Sequence, residues 1–135
     1  MQREILIRFC RVAVIITIIA IFLGGCAQNA STQRYQNISA IELNRVLQEE
    51  SNFMLLDVRE PYELAETGYI PGTVNIPMGK ASEMLKDIPR DRKIIIYCRT
   101  GRRSAEVAEL LSGKGYTLLY NLEGGIVAWP YEKKK

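Results

Sequence analysis

Hydrophobic residues in this 135-residue chain recur with two different periods, and the alternation between them sets the expected architecture. Short, predominantly apolar runs at 53–58, 93–97 and 116–120 are bounded by polar or glycine-containing segments. Runs of that length read as strands buried on both faces. Residues 93–97 are the most β-branched and are expected to lie centrally. Shorter strands are expected at 73–76, between Gly72 and Pro77, and at 35–38, the latter on an edge. Between the strands the period becomes helical. Ser39-Ala40-Ile41-Glu42 has the capping-box pattern and predicts a helix over 40–49 that buries Ile41, Val46 and Leu47. Pro61 opens a short helix that Gly68 ends, and 82–87 predicts another. In 104–112, Ala105, Val107, Ala108, Leu110 and Leu111 mark one apolar face, with Gly113 and Gly115 as stops. Gly124-Gly125 turns into a last short helix, with Trp129 as a core residue, and Lys133 to Lys135 form a solvated tail. Strands alternating with helices define an α/β fold with a mainly parallel sheet.

The N-terminal region follows neither period. Three arginines within residues 1–11 precede an apolar run at 12–23. That run is short for a spanning helix, which needs about 20 residues, and it fits the apolar region of a signal peptide. Leu23-Gly24-Gly25-Cys26 resembles the bacterial lipobox, which implies lipidation at Cys26 and loss of 1–25. An uncleaved signal anchor is the alternative. Either way the domain is expected to be exported, and in the lipidated form it faces the periplasm or cell surface. Residues 26–34 read as a flexible tether and 35–135 as one domain.

Charge and cysteine content narrow the chemistry. The net charge is +3, but residues 26–135 hold 15 basic and 14 acidic side chains, which argues against nucleic acid as a partner. The chain has no histidine. Ser-His-Asp and Cys-His hydrolases are therefore excluded, because no imidazole exists to take the nucleophile's proton. Cys10, Cys26 and Cys98 show no metal-ligand spacing, so neither metal nor cofactor is expected. With Cys10 removed and Cys26 lipidated, Cys98 would be the last thiol, and no internal disulfide could form.

Cys98 ends the central apolar run and is followed by Arg99-Thr100-Gly101-Arg102-Arg103-Ser104. A thiol between a buried strand, a basic loop and a helix start has the surroundings that stabilise a thiolate. Free cysteine, with a pKa of about 8.5, is only roughly 3% ionised at pH 7. Lowering that pKa to about 7 takes about 2 kcal/mol. A helix N-terminus contributes about 0.3–1 kcal/mol, or up to about 2 when partly buried. Loop N–H groups and arginine charge are expected to supply the rest. Arginine can also fork onto an oxyanion. Arg102, past Gly101 where the loop should curl back, is the first choice for substrate contact. Asp57 and Arg59 also fall at the carboxyl end of a strand, where ligands of open α/β sheets bind.

Three motifs together resemble the rhodanese family. They are Asp57-Val58-Arg59-Glu60 with Gly68-Tyr69-Ile70-Pro71-Gly72, the loop from Cys98 to Ser104, and Leu122-Glu123-Gly124-Gly125 with Ala128-Trp129. Tyr69 stands where the family usually has histidine. The resemblance covers about 35–131 and implies a three-layer domain around a five-stranded sheet. It further implies a sulfurtransferase in which Cys98 takes a sulfane sulfur from a small anionic donor such as thiosulfate. A thiophilic acceptor, cyanide or a thiol, then removes it. The loop residues Arg99, Thr100, Gly101, Arg102 and Arg103 would bind substrate, and Asp57, Arg59 and Ser104 would support them; Arg59 could also pair with Glu63. The protein would act as a monomer. Two other readings share the fold: a carrier that delivers polysulfide sulfur without turnover, and a cysteine phosphatase. The second requires an arginine where Ser104 stands.

Overall fold

The computed structural model describes residues 34–135. The leader, Cys26 and all but the last residue of the tether lie outside the described residues. Five strands form one sheet: β1 (Gln36–Ile38), β2 (Phe53–Asp57), β3 (Thr73–Asn75), β4 (Lys93–Tyr97) and β5 (Leu119–Leu122). Their order is β1-β5-β4-β2-β3, and every pairing is parallel. The β-branched strand β4 is therefore central, as its composition predicts. Helices α1 (Ala40–Glu49), α2 (Pro61–Thr67) and α3 (Arg102–Gly113) occupy the crossovers.

Strand alternation divides the core into two layers. On one face Leu56, Ile94 and Ile96 pack with Val107, Ala108 and Leu111 of α3. On the other, Leu55, Ile95 and Tyr97 pack with Leu43 and Val46 of α1 and with Ile126 and Trp129. Both faces are covered, which is why these strands read as predominantly apolar runs. Trp129 belongs to the core as expected, and its indole N–H donates to the Glu132 carbonyl.

Several expectations are corrected. The capping box of α1 is present, with Ser39 Oγ accepting from the Glu42 N–H. The buried residue, however, is Leu43 rather than Ile41, which is 73% exposed. Two residues along a helix turn about 200°, so Leu43 and Ile41 cannot share a face. In α3 Leu110 faces outward, and the helix starts at Arg102, so Ser104 lies within its first turn. Residues 82–87 form no α-helix; two short 3₁₀ turns, Met78–Lys80 and Leu85–Asp87, flank a hydrogen-bonded turn. The last strand starts at Leu119, not at Tyr116, whose hydroxyl contacts the Leu85 and Ile88 carbonyls and ties it to the preceding loop. The lysine tail is not merely solvated: Lys134 and Tyr69 exchange both backbone hydrogen bonds, at 2.8 and 2.9 Å.

Candidate active site

Cys98 follows the last residue of β4, so the sheet itself delivers the sulfur to the carboxyl edge. The side chain is only 1% exposed and forms the floor of the loop that follows. Gly101 N–H donates to Sγ at 3.1 Å, and the Ser104 hydroxyl lies 3.5 Å away. Burial alone would push the Cys98 thiol up. Hydrogen bonds from the Ser104 hydroxyl and from the N–H groups of Ser104, Thr100 and Gly101 outweigh it and hold the thiol below its ordinary value. Amides at the start of α3 thus replace the missing imidazole.

Two glycines make this curl possible. Gly101 takes φ 97°, a left-handed conformation that an L side chain adopts only at a cost of about 1–2 kcal/mol. A Cβ on Gly125 would stand 2.5 Å from the Arg99 carbonyl oxygen and 2.6 Å from that of Cys98. The missing side chain lets the turn at Gly125–Ala128 close against the loop. There Ile126 N–H donates to the Cys98 carbonyl and Val127 N–H to that of Arg99, at 2.9 and 3.1 Å. Gly125 of the Gly-Gly motif thus does more than turn the chain: it lets the turn lie against the loop backbone.

Ser104 is fully buried. Its hydroxyl is 2.6 Å from Asn121 Oδ1 and 3.1 Å from the Gly101 carbonyl, while Asn121 Nδ2 donates to Asn37 Oδ1 at 3.2 Å. A hydroxyl has one proton to give. Asn121 or Gly101 can take it beside a neutral thiol, and Sγ can take it once ionised. Asn121 was missed in the sequence; its signal is a lone amide between apolar neighbours in a buried strand.

The arginines separate into different environments. Arg102 is 82% exposed and pairs with Glu106 one turn along α3. The arginine expected to be the first substrate contact thus stands in a surface ion pair along α3. Arg103 is held chiefly by Glu63, and a negative charge on Cys98 would favour its cation further. Arg103 makes a two-pronged pair with Glu63 of α2 at 2.6 and 2.7 Å. This pairing raises the Arg103 pKa, and the Arg103 hydrogen bond holds Glu63 below the usual carboxylate range. Thr100 is exposed, and Arg99 lines an adjoining groove.

Asp57 and Arg59 are buried and ion-paired, with Nη2 to Oδ2 at 2.6 Å. The expected Arg59–Glu63 ion pair is absent, because Glu63's carboxylate is taken by Arg103 and Arg59 reaches only the Glu63 backbone carbonyl. Arg59 instead donates to Thr67 Oγ1 and the Gly68 carbonyl, at 2.8 and 2.9 Å. A buried guanidinium thus grips the C-terminal end of α2, where the helix dipole favours a cation. The brace continues through α2 to Glu63 and Arg103, and so to the reactive loop.

Residues 39–132 match the rhodanese-like domain family, and the chain belongs to that family. A sulfurtransferase of Allochromatium vinosum is 38% identical over 92 residues, covering 68% of this chain and 85% of the relative. The putative sulfurtransferase YtwF of Bacillus subtilis is 36% identical over 99 residues, covering 73% and 94%. The crystal structure of a rhodanese-like domain protein from Staphylococcus aureus superposes with a TM-score of 0.67 at 35% identity, covering 74% and 98%. The three-layer fold with a five-stranded parallel sheet expected from the motifs is the one observed.

Proposed function

We propose that this protein is a sulfurtransferase that carries sulfane sulfur on Cys98, tethered outside the cytoplasmic membrane through lipid on Cys26. The carrying observation is the sulfur held among hydrogen-bond donors at the head of α3, with its pKa lowered despite burial. A thiolate so held attacks the outer sulfur of thiosulfate. The S–S bond of the donor breaks, sulfite leaves with the bonding electrons, and Cys98 keeps the outer sulfur as a persulfide anion. A thiophile such as cyanide then attacks that sulfur and returns the electron pair to Sγ. No proton acceptor, metal or redox cofactor is needed for the balance. Because Sγ lies on the loop floor, small donors reach it more readily than bulky ones. The protein acts as a monomer, without nucleic acid.

Where a phosphatase loop would need its arginine, Ser104 is buried against the sulfur, so phosphoryl transfer lacks its clamp. Mass spectrometry after incubation with thiosulfate should show one added sulfur on the peptide containing Cys98, released as thiocyanate on adding cyanide. Sulfur gained from polysulfide but not from thiosulfate would instead establish the carrier reading. Phosphate released from an aryl phosphate would overturn both.

A further inference from the structure

Asn121 occupies a position where packing alone gives no reason for an amide. It is 7% exposed and stands beside Ile96 in the β4–β5 pairing. Like Leu119, two residues earlier, it points to the α3 side of the sheet, into the layer of Ile94, Ile96 and Val107. A buried amide is costly unless its hydrogen bonds are made, and leucine would fill the place without that cost. Ser104 does not require the amide either, because its hydroxyl already has the Gly101 carbonyl at 3.1 Å within the same turn.

What Asn121 adds is a connected run of polar side chains. Asn37 lies directly opposite it in the parallel β1–β5 pairing, at the exposed edge of the sheet. Asn121 Nδ2 donates to Asn37 Oδ1 at 3.2 Å, the Ser104 hydroxyl donates to Asn121 Oδ1 at 2.6 Å, and Ser104 Oγ lies 3.5 Å from Cys98 Sγ. In this polarity the Ser104 proton points to Asn121, which suits an uncharged sulfur. A thiolate calls for the opposite. Once Ser104 turns its proton to Sγ, two oxygens 2.6 Å apart face each other with no proton between them. An amide relieves this. A half-turn of Asn121 presents Nδ2 to Ser104 and Oδ1 to Asn37, and the exposed Asn37 can turn its own NH₂ inward. A carboxylate could only accept, and leucine could do neither.

Resting on the sulfurtransferase reading, we propose that Asn121 and Asn37 are positioning residues of a reversible hydrogen-bond relay whose polarity follows the charge on Cys98. With the thiolate, every donor points toward the sulfur: Asn37 to Asn121, Asn121 to Ser104, and Ser104 to Sγ. Such a chain polarises along its length and strengthens its last bond. On loading, Sγ forms its bond to the incoming sulfur, the negative charge passes to that outer sulfur, and Sγ becomes neutral. The relay then returns to the polarity in which Ser104 donates to Asn121. When a thiophile removes the outer sulfur, the electron pair comes back to Sγ and the donors swing toward it again. Each hydroxyl and amide keeps its own protons throughout, so the relay serves transfer without acting as a base.

The test is a pH titration of the ¹⁵N-labelled full chain in detergent, following the side-chain amide resonances of Asn121 and Asn37 by NMR. Both are expected to move with the inflection of the Cys98 thiolate absorbance and to stay still in Cys98→Ser. In Ser104→Ala the sulfur still ionises, but the Asn37 amide should no longer respond. Asn37→Asp, at an exposed site, can only accept and holds the relay in its neutral-sulfur polarity. It should raise the Cys98 inflection by about half a pKa unit. Gln36→Glu places the same charge on the next residue but on the opposite face of β1, and should leave the inflection in place. Amides that ignore the ionisation of the sulfur, an Asn37 response that survives Ser104→Ala, or equal shifts from Asn37→Asp and Gln36→Glu would overturn the proposal. The titration uses unloaded protein, so its result stands whether or not Cys98 takes up sulfur. Failure to load would count against the sulfurtransferase reading instead.

Discussion

Cys98→Ser is expected to reduce sulfur transfer to the uncatalysed rate while the domain still folds. A hydroxyl at this position can accept the Gly101 N–H bond that Sγ accepts at 3.1 Å, so the loop keeps its shape. It cannot ionise near neutral pH or form a persulfide, so no sulfur is loaded. Thiocyanate production from thiosulfate and cyanide reads the activity, and a urea melt reads the fold. Turnover persisting in a correctly folded Cys98→Ser protein would place the chemistry elsewhere.

Arg59→Ala is expected to be the most destabilising single change at the site, by about 3–5 kcal/mol. The reason is asymmetry. The pair itself adds little, because both ions give up water to form it, but removing one partner leaves the fully buried Asp57 carboxylate uncompensated. The Gly68 carbonyl and the Thr67 hydroxyl lose their donor as well. Against a total stability of about 5–15 kcal/mol, that loss is a large share. The exposed Arg102–Glu106 pair provides the contrast, since solvent screens it and Arg102→Ala should barely move the urea midpoint. Midpoints that fall equally in the two variants would contradict this account of the Asp57–Arg59 brace.

The elements were legible where one physical rule decides them. Pattern and capping chemistry place α1 and β4 because a capping box and a doubly buried β-branched run leave few alternatives. The 82–87 segment misleads because its apolar residues, Met84 and Leu85, satisfy the core through turns as well as through a helix. Ile41 misleads because its hydrophobicity carries no sign of its angle around the helix axis, which turns it away from Leu43. At the site, Cys98 and the loop are readable from residue type and order. Which arginine turns toward α2 is not, since Arg102 and Arg103 are adjacent and only the position of Glu63 separates them. Glu63, within α2, has no local sign of its task; its carboxylate meets Arg103 forty residues on. Gly125 and Asn121 act through backbone contact and a buried relay, which neither charge nor periodicity reveals.

Ionisation of Cys98 bears on the whole account. The thiolate absorbance of the wild-type chain, less that of Cys98→Ser, should rise with pH at an inflection below that of free cysteine. The depressed pKa also fixes the sign of the stability effect. Between the folded and unfolded pKa values the unfolded chain binds the extra proton, so stability relative to Cys98→Ser grows as pH rises through that window. Above the unfolded pKa the gain is fully present, and it is lost as pH falls through the folded one. An inflection at or above that of free cysteine would mean that burial prevails over the loop's donors, and Cys98 would not be the activated nucleophile described above.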